Sequence, residues 1–131
     1  MTPARIEPLV DAVVAALAGS DSSVIAGYLD DRSVLHVPGV SGLAGEYEGR
    51  EAICALLDRM SATTEGTLSF ETTRTTVASI GRVRLCGNVS GGRGGRSLVT
   101  TATLESELSG VHIREAWLSC ADQPAWDAFW G

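Results

Sequence analysis

The chain contains no lysine: all ten of its basic residues are arginines, set against 16 acids for a formal charge of −6. That balance excludes the basic stripe that a phosphate backbone requires, and with it nucleic acid as an expected partner. The one-sided choice of arginine reads as composition bias, since most surface cations serve only as solvated charge. Cysteine is scarce: Cys54, Cys86 and Cys120 are scattered, odd in number, and lack both a CxxC pair and a histidine at ligand spacing. This excludes a disulfide framework and a structural zinc site, and predicts a reducing compartment. No run of about 18 apolar residues exists, so no membrane span and no membrane partner is expected. The N-terminus lacks a basic region leading into an apolar run and a cleavage site, which predicts a cytoplasmic protein without an export signal. Internal repeats and any shift in composition that would mark a second domain are absent as well, so residues 1–131 are expected to form one domain.

What is present is a folding composition. Apolar residues make up 44% of the chain and charged residues 20%, the balance of a globular protein that buries its own core. The first half has helical periodicity. Ile6, Leu9, Val10, Val13, Val14 and Leu17 form one apolar stripe over 3–18, ended by Gly19. A shorter helix over 22–29 turns Val24, Ile25 and Tyr28 inward, with Ser20 and Asp21 as caps. A third, over 50–60, carries Ile53, Leu56, Leu57 and Met60. Between the last two, 33–37 is a short strand stopped by Pro38-Gly39, and 40–49 is a glycine-rich loop with room for a brief strand. From Thr67 onward the period becomes that of strands: 67–79, 82–90, 97–108 and 111–120. Residues 91–96, GGRGGR, form a hairpin loop, and Ser109-Gly110 a two-residue turn. Asp122 caps a last helix on which Trp126, Phe129 and Trp130 share a face. Helices segregated from an antiparallel sheet predict an α+β fold.

Several short motifs follow one another in an informative order. They are Asp30-Asp31 before Val34-Leu35-His36-Val37-Pro38-Gly39, then Gly45-Glu46-Tyr47-Glu48-Gly49-Arg50, then Ile113-Arg114-Glu115-Ala116-Trp117, then Asp122-Gln123 and Asp127-Ala128-Phe129-Trp130. In this order and spacing the chain resembles the SnoaL-like, ketosteroid-isomerase-like branch of the NTF2-like superfamily. The resemblance implies a cone, with three N-terminal helices packed on a strongly curved, mostly antiparallel sheet and a short C-terminal helix. It also implies an apolar pocket between helices and sheet, no cofactor, and a homodimer formed through the sheet. Members include polyketide cyclases, isomerases, dehydratases and proteins with no known reaction, so the fold leaves the function open. The steroid-isomerase pair of an Asp before the strand's Pro and a Tyr on the first helix corresponds here to Val37 and Val13, which excludes that mechanism. The Asp-Arg-Asp cluster of the epoxide hydrolases has no counterpart, as no strand carries Arg-x-Asp.

The residues left to carry chemistry each have a plainer reading. Asp122 falls where polyketide cyclases of this type place an acid/base carboxylate, and it is also an ideal helix cap. Glu115 lies between Ile113 and Trp117 on an otherwise apolar strand face, where a carboxylate must find a partner or take up a proton. His36 can act as an acid or base near neutral pH or serve as a structural side chain. Strict alternation from a turn at Ser109-Gly110 pairs Glu107 with His112 and Glu105 with Arg114, and puts Ile113, Glu115 and Trp117 on one face. The expected site therefore has Asp122 and Glu115 as catalytic groups, and Val13, Tyr28, His36, Val37, Leu56, Met60 and Trp117 as the binding surface. The expected function is cofactor-independent acid/base chemistry on a small apolar, polyketide-like molecule: cyclisation, isomerisation or dehydration. The alternative is a non-catalytic binding or structural module on the same frame.

Overall fold

A six-stranded sheet is the framework of the fold. The computed structural model describes residues 9, 11–14, 23–79, 81–110 and 112–131. The strands are β1 (Val34–Val37), β2 (Gly45–Glu48), β3 (Ser69–Ser79), β4 (Arg82–Arg93), β5 (Arg96–Ser109) and β6 (His112–Cys120), and the helices are α1 (Ser23–Ala26), α2 (Arg50–Thr63) and α3 (Gln123–Trp130). Their order across the sheet is β2-β1-β6-β5-β4-β3. Neighbours are antiparallel except β1 and β6, which run parallel through Leu35↔Ala116 and His36↔Trp117. Irregular register in β3 near Thr72 and Val77, and between Glu107 and Leu108 on β5, bends the long strands and curves the sheet.

The helices differ from the expected set of three ahead of the sheet. Residues 9 and 11–14 are helical, with Leu9, Ala12 and Val13 buried; the rest of the first expected helix lies outside the described residues. The second is one turn, α1, because Gly27 and Tyr28 close it with i→i−3 bonds to Val24 and Ile25. Among the fully described helices α2 is the long one, and it buries Ile53, Leu56, Leu57 and Met60 against the sheet as its 3.6-residue stripe requires. Among the described residues no helix is long and apolar enough to cross a membrane.

Two other details depart from simple alternation. The GGRGGR segment is not a six-residue loop: Arg93 pairs with Arg96 and only Gly94 and Gly95 turn, both at positive φ (49° and 80°). That is the backbone of a tight hairpin, and glycine adopts it without steric cost. The freed arginines then reach the end of α3. Arg93 Nη1 donates to the carbonyls of Phe129 (3.2 Å) and Trp130 (3.3 Å), and Arg96 Nη1 to those of Ala128 (3.3 Å) and Gly131 (3.1 Å). Cations thus satisfy the orphan carbonyls of a helix C-terminus.

The last hairpin is shifted from its expected register. Ser109, not Leu108, closes it by pairing with His112, and Leu108 pairs with Ile113. Glu107 then pairs with Glu115, and Glu105 with Trp117, so Arg114 is an extra residue in β6. The bulge flips the face on which everything downstream falls. Ile113, Ala116 and Leu118 point inward together, while Glu115 and Trp117 point out.

The motifs with the family-like order also meet in space. Arg50 donates from Nε (3.0 Å) and Nη2 (2.8 Å) to the Leu29 carbonyl, and its own N–H bonds to Asp30 O. Ser33 Oγ donates to Ile113 O at 2.6 Å, and Gly49 N–H to Ser33 O at 2.7 Å. Asp30-Asp31 and Gly49-Arg50 therefore lace the entry of β1 to the start of α2 and to β6.

Candidate functional site

The inner face of the sheet, α1, α2 and α3 enclose an apolar cavity of about 60 Å³. α2 contributes Ile53, Leu56, Leu57 and Met60, β1 contributes Val34, Leu35 and Val37, and β6 contributes Ile113, Ala116 and Leu118. Val13, Ile25, Leu29, Leu104 and Trp126 complete the wall. A smaller apolar void of about 10 Å³ adjoins it and shares Met60, Leu118 and Trp126. Both histidines and both tyrosines of the chain are among the described residues, and none of them lines either space. The described walls thus hold no acid, base or hydroxyl donor, and the apolar contacts they offer are non-directional.

Of the residues expected to bind a ligand, Val13, Val37, Leu56 and Met60 stand in this wall. Tyr28 packs against the edge of the core, and its carbonyl accepts from Ile113 N–H at 2.7 Å. His36 and Trp117 are on the other side of the sheet, stacked with ring centroids 5.6 Å apart and planes at 10°. Glu115 is beside them, its Oε2 2.6 Å from His36 Nε2, while Glu46 Oε2 lies 3.5 Å from Nδ1. The ring therefore bridges β1 to both its neighbours. Arg82 continues the cluster, its guanidinium 5.5 Å from the Trp117 ring centre and bonded to Glu105 (3.1 Å) and Glu107 (3.2 Å). Asp122 is exposed, and its Oδ1 accepts from Ala125 N–H at 3.1 Å, which makes it the N-cap of α3. The two expected catalytic carboxylates are thus separated: one caps a helix, and the other is tied to a histidine on the outer face.

Several positioning residues have no signal in the sequence pattern. Asp127 Oδ1 accepts from the N–H groups of Val40 (3.0 Å) and Ser41 (3.2 Å), and so holds the loop after Pro38 against α3. A Cβ at Gly39 would lie 2.1 Å from that oxygen, so only glycine fits there. Burial first, and the Asp127 carboxylate second, push the Cys120 thiol up to about 11. Cys54 on α2 is also raised, by burial and then by Asp58, with Arg50 acting against them. Neither thiol is poised as a nucleophile, which requires the opposite shift. The cavity residues of β5 and β6 were hidden for a different reason. Ile113 and Ala116, three apart, break the two-residue period, and that mismatch is the one trace of the bulge in the sequence.

No protein-family profile and no curated protein matches the sequence. Solved structures do match it over nearly its whole length. Bal32a, from a soil-derived mobile gene cassette, superposes with a TM-score of 0.87 at 28% identity, over 97% of this chain and 99% of that one. A protein of unknown function with a cystatin-like fold from Xanthomonas campestris gives 0.85 at 23% identity, over 97% and 98% of the two chains. An NTF2-like protein from Anabaena variabilis gives 0.79 at 12% identity, over 91% and 88%. Other matches are described as a putative SnoaL-like polyketide cyclase and as a protein with a ketosteroid isomerase-like fold.

Proposed function

We propose, on the premise that the chain has the NTF2-like fold it shares with these proteins, that it binds a small apolar molecule in the inner cavity without proton chemistry at the cavity wall. The observation that carries this reading is the wall itself: every described lining residue is aliphatic, Met60, or Trp126. Acid/base catalysis needs a titratable group within hydrogen-bond reach of the reacting atom, and Asp122 and Glu115 both stand elsewhere. Cyclisation, isomerisation or dehydration by those two carboxylates is therefore the less supported reading. Similarly folded proteins have been crystallised with trimethylamine and with polyporic acid, which fits a frame that accommodates small molecules. Met60 gives the wall some adaptability, since an unbranched thioether side chain changes rotamer readily to suit a guest. A second copy of the chain would pack on the outer sheet face, where Val99 is 80% exposed and Trp117 lies beside the Arg82 ion pairs.

Ala116→Val tests the cavity directly. Two methyl groups added on the inner face take up much of the free volume and suit a strand. The variant is expected to lose the binding of a small apolar probe of matching size, xenon, followed by Trp fluorescence and by chemical shifts of cavity methyl groups. It is also expected to gain about 0.5–2 kcal/mol of stability, as filled cavities commonly do. Equal binding by both proteins, or no binding by the parent, overturns the reading.

A further inference from the structure

A polar hollow lies apart from the apolar cavity. It has a volume of about 330 Å³ and is lined by Asp30, Arg32, Ser109, His112 and Arg114. It lies across the backbone from the cavity: Ile113, which faces the cavity, is flanked by His112 and Arg114, and the cavity's Leu29 precedes Asp30.

The hollow is held rigidly. Asp30 Oδ1 accepts from Arg32 N–H at 2.8 Å, and Ser33 N–H bonds to Asp30 O at 3.2 Å, which closes the turn that carries Arg32. Ser33 Oγ and the Tyr28 carbonyl both bond the backbone of Ile113, so this turn is fastened to the strand that carries His112 and Arg114. The bulge in β6 inserts Arg114, and bulges commonly serve to re-aim a side chain.

Its hydrogen-bonding groups are out of balance. Arg114 uses Nη1 on Glu107 at 3.2 Å, and His112 Nδ1 lies 3.9 Å from Asp30 Oδ2. The Arg32 guanidinium and the Ser109 hydroxyl have no partner among the described residues. Within the lining, two guanidiniums, an imidazole and a hydroxyl thus face one carboxylate, whose Oδ1 is already engaged, and the Glu107 carboxylate that takes one N–H of Arg114 is shared with Arg82. In a chain of charge −6 this local excess of donors and positive charge runs against the overall field. A ligand that completes it must bring acceptors and negative charge. Guanidinium groups match planar and tetrahedral oxyanions through paired N–H donors.

We propose that this hollow is a binding site for the oxyanion of a small molecule, a phosphate or a carboxylate, held by Arg32 and Arg114 with Ser109 and His112 completing the donor set. It is independent of what the apolar cavity holds. The site admits the anionic group from solvent and excludes a cation, which Arg32 and Arg114 repel.

The test is an amide NMR titration of the full chain with inorganic phosphate and, separately, with succinate, each against sodium chloride at equal ionic strength. The expected result is saturating shifts at Ser109, His112 and Arg114 with at least one of the two anions and not with chloride. The anion that binds more tightly identifies the chemistry of the source. Arg32→Gln and Arg114→Gln are each expected to weaken binding roughly tenfold, the scale of one lost charge-assisted hydrogen bond. Arg32 is exposed, so its variant keeps the fold. Arg32→Lys, which keeps the charge and loses the fork, is expected to fall between the parent and the Gln variant. Shifts that track ionic strength alone, or that are unchanged in Arg32→Gln, overturn the proposal.

Discussion

One curved sheet presents two unlike chemistries on its faces. Along β5 the residues Leu98, Ala102 and Leu104 are buried, while their immediate neighbours Val99, Thr101, Thr103 and Glu105 point away from the core. Inward, the sheet meets α2 and α3 with methyl groups and indole rings. Outward, it carries Arg82, Arg84 and Arg114 interlocked with Glu105 and Glu107, and His36 stacked on Trp117. Truncating a side chain on the inner face leaves a gap, because close-packed neighbours relax only partially around it. The contacts on the outer face are exchangeable with water, and each contributes little. The difference implies that packing stability depends on the inner side of the sheet, and that outer ion pairs such as Arg84–Glu105 are free to change.

Three measurements would sharpen or break that contrast. The largest effect is expected from Trp126→Ala. Trp126 is 2% exposed and lines both apolar spaces, so truncation should cost about 3–5 kcal/mol in urea unfolding; a loss below 1 kcal/mol would mean that the interior is not tightly packed. A smaller effect belongs to the end of the inner face, at Cys120. Its thiol is held up to about 11 from an ordinary 9.0, so the folded chain stays protonated where the unfolded chain ionises. The neutral thiol's contribution is therefore full below pH 9 and is lost as pH rises toward 11. The stability difference between the parent and Cys120→Ala should shift against the parent over that window, and parallel pH profiles would refute it. The smallest effect is expected outside. Arg84 is half exposed and 3.6 Å from Glu105, so Arg84→Ala should change stability by about 0–1 kcal/mol, and less in high salt. A loss comparable to that of Trp126→Ala would erase the distinction between the faces.

How much of this was legible in the residues differs by element. The stripe of α2 and the cap at Asp122 follow from local spacing; α2 begins where the pattern puts it and runs on to Thr63, three residues past the expected end. The inward positions of Val13, Leu56 and Met60 were legible for the same reason, and that of Val37 through the resemblance. Glu115 and Trp117 were harder. Their placement depends on one inserted residue at Arg114, whose cause is tertiary: Ile113 is anchored to Tyr28 and Ser33, far away in sequence. Pairing between distant segments also hid Asp127 and the two arginines of the hairpin, since a cap supplied by another strand leaves no local periodicity. The parallel pairing of β1 with β6 belongs to the same class.

The inserted Arg114 acts on the strand as a single-base insertion acts on a gene. It changes the frame in which every later residue is read as inside or outside. Pairing Arg114 into a regular ladder would send Glu115 toward the hydrocarbon interior and Ala116 toward solvent, whereas deleting it would leave both on their present faces. Deletion of Arg114 should therefore be tolerated, whereas releasing Ile113 from Tyr28 and Ser33, so that the strand slips and Arg114 pairs, should not. The pairing of this segment constrains the chain more than its length does.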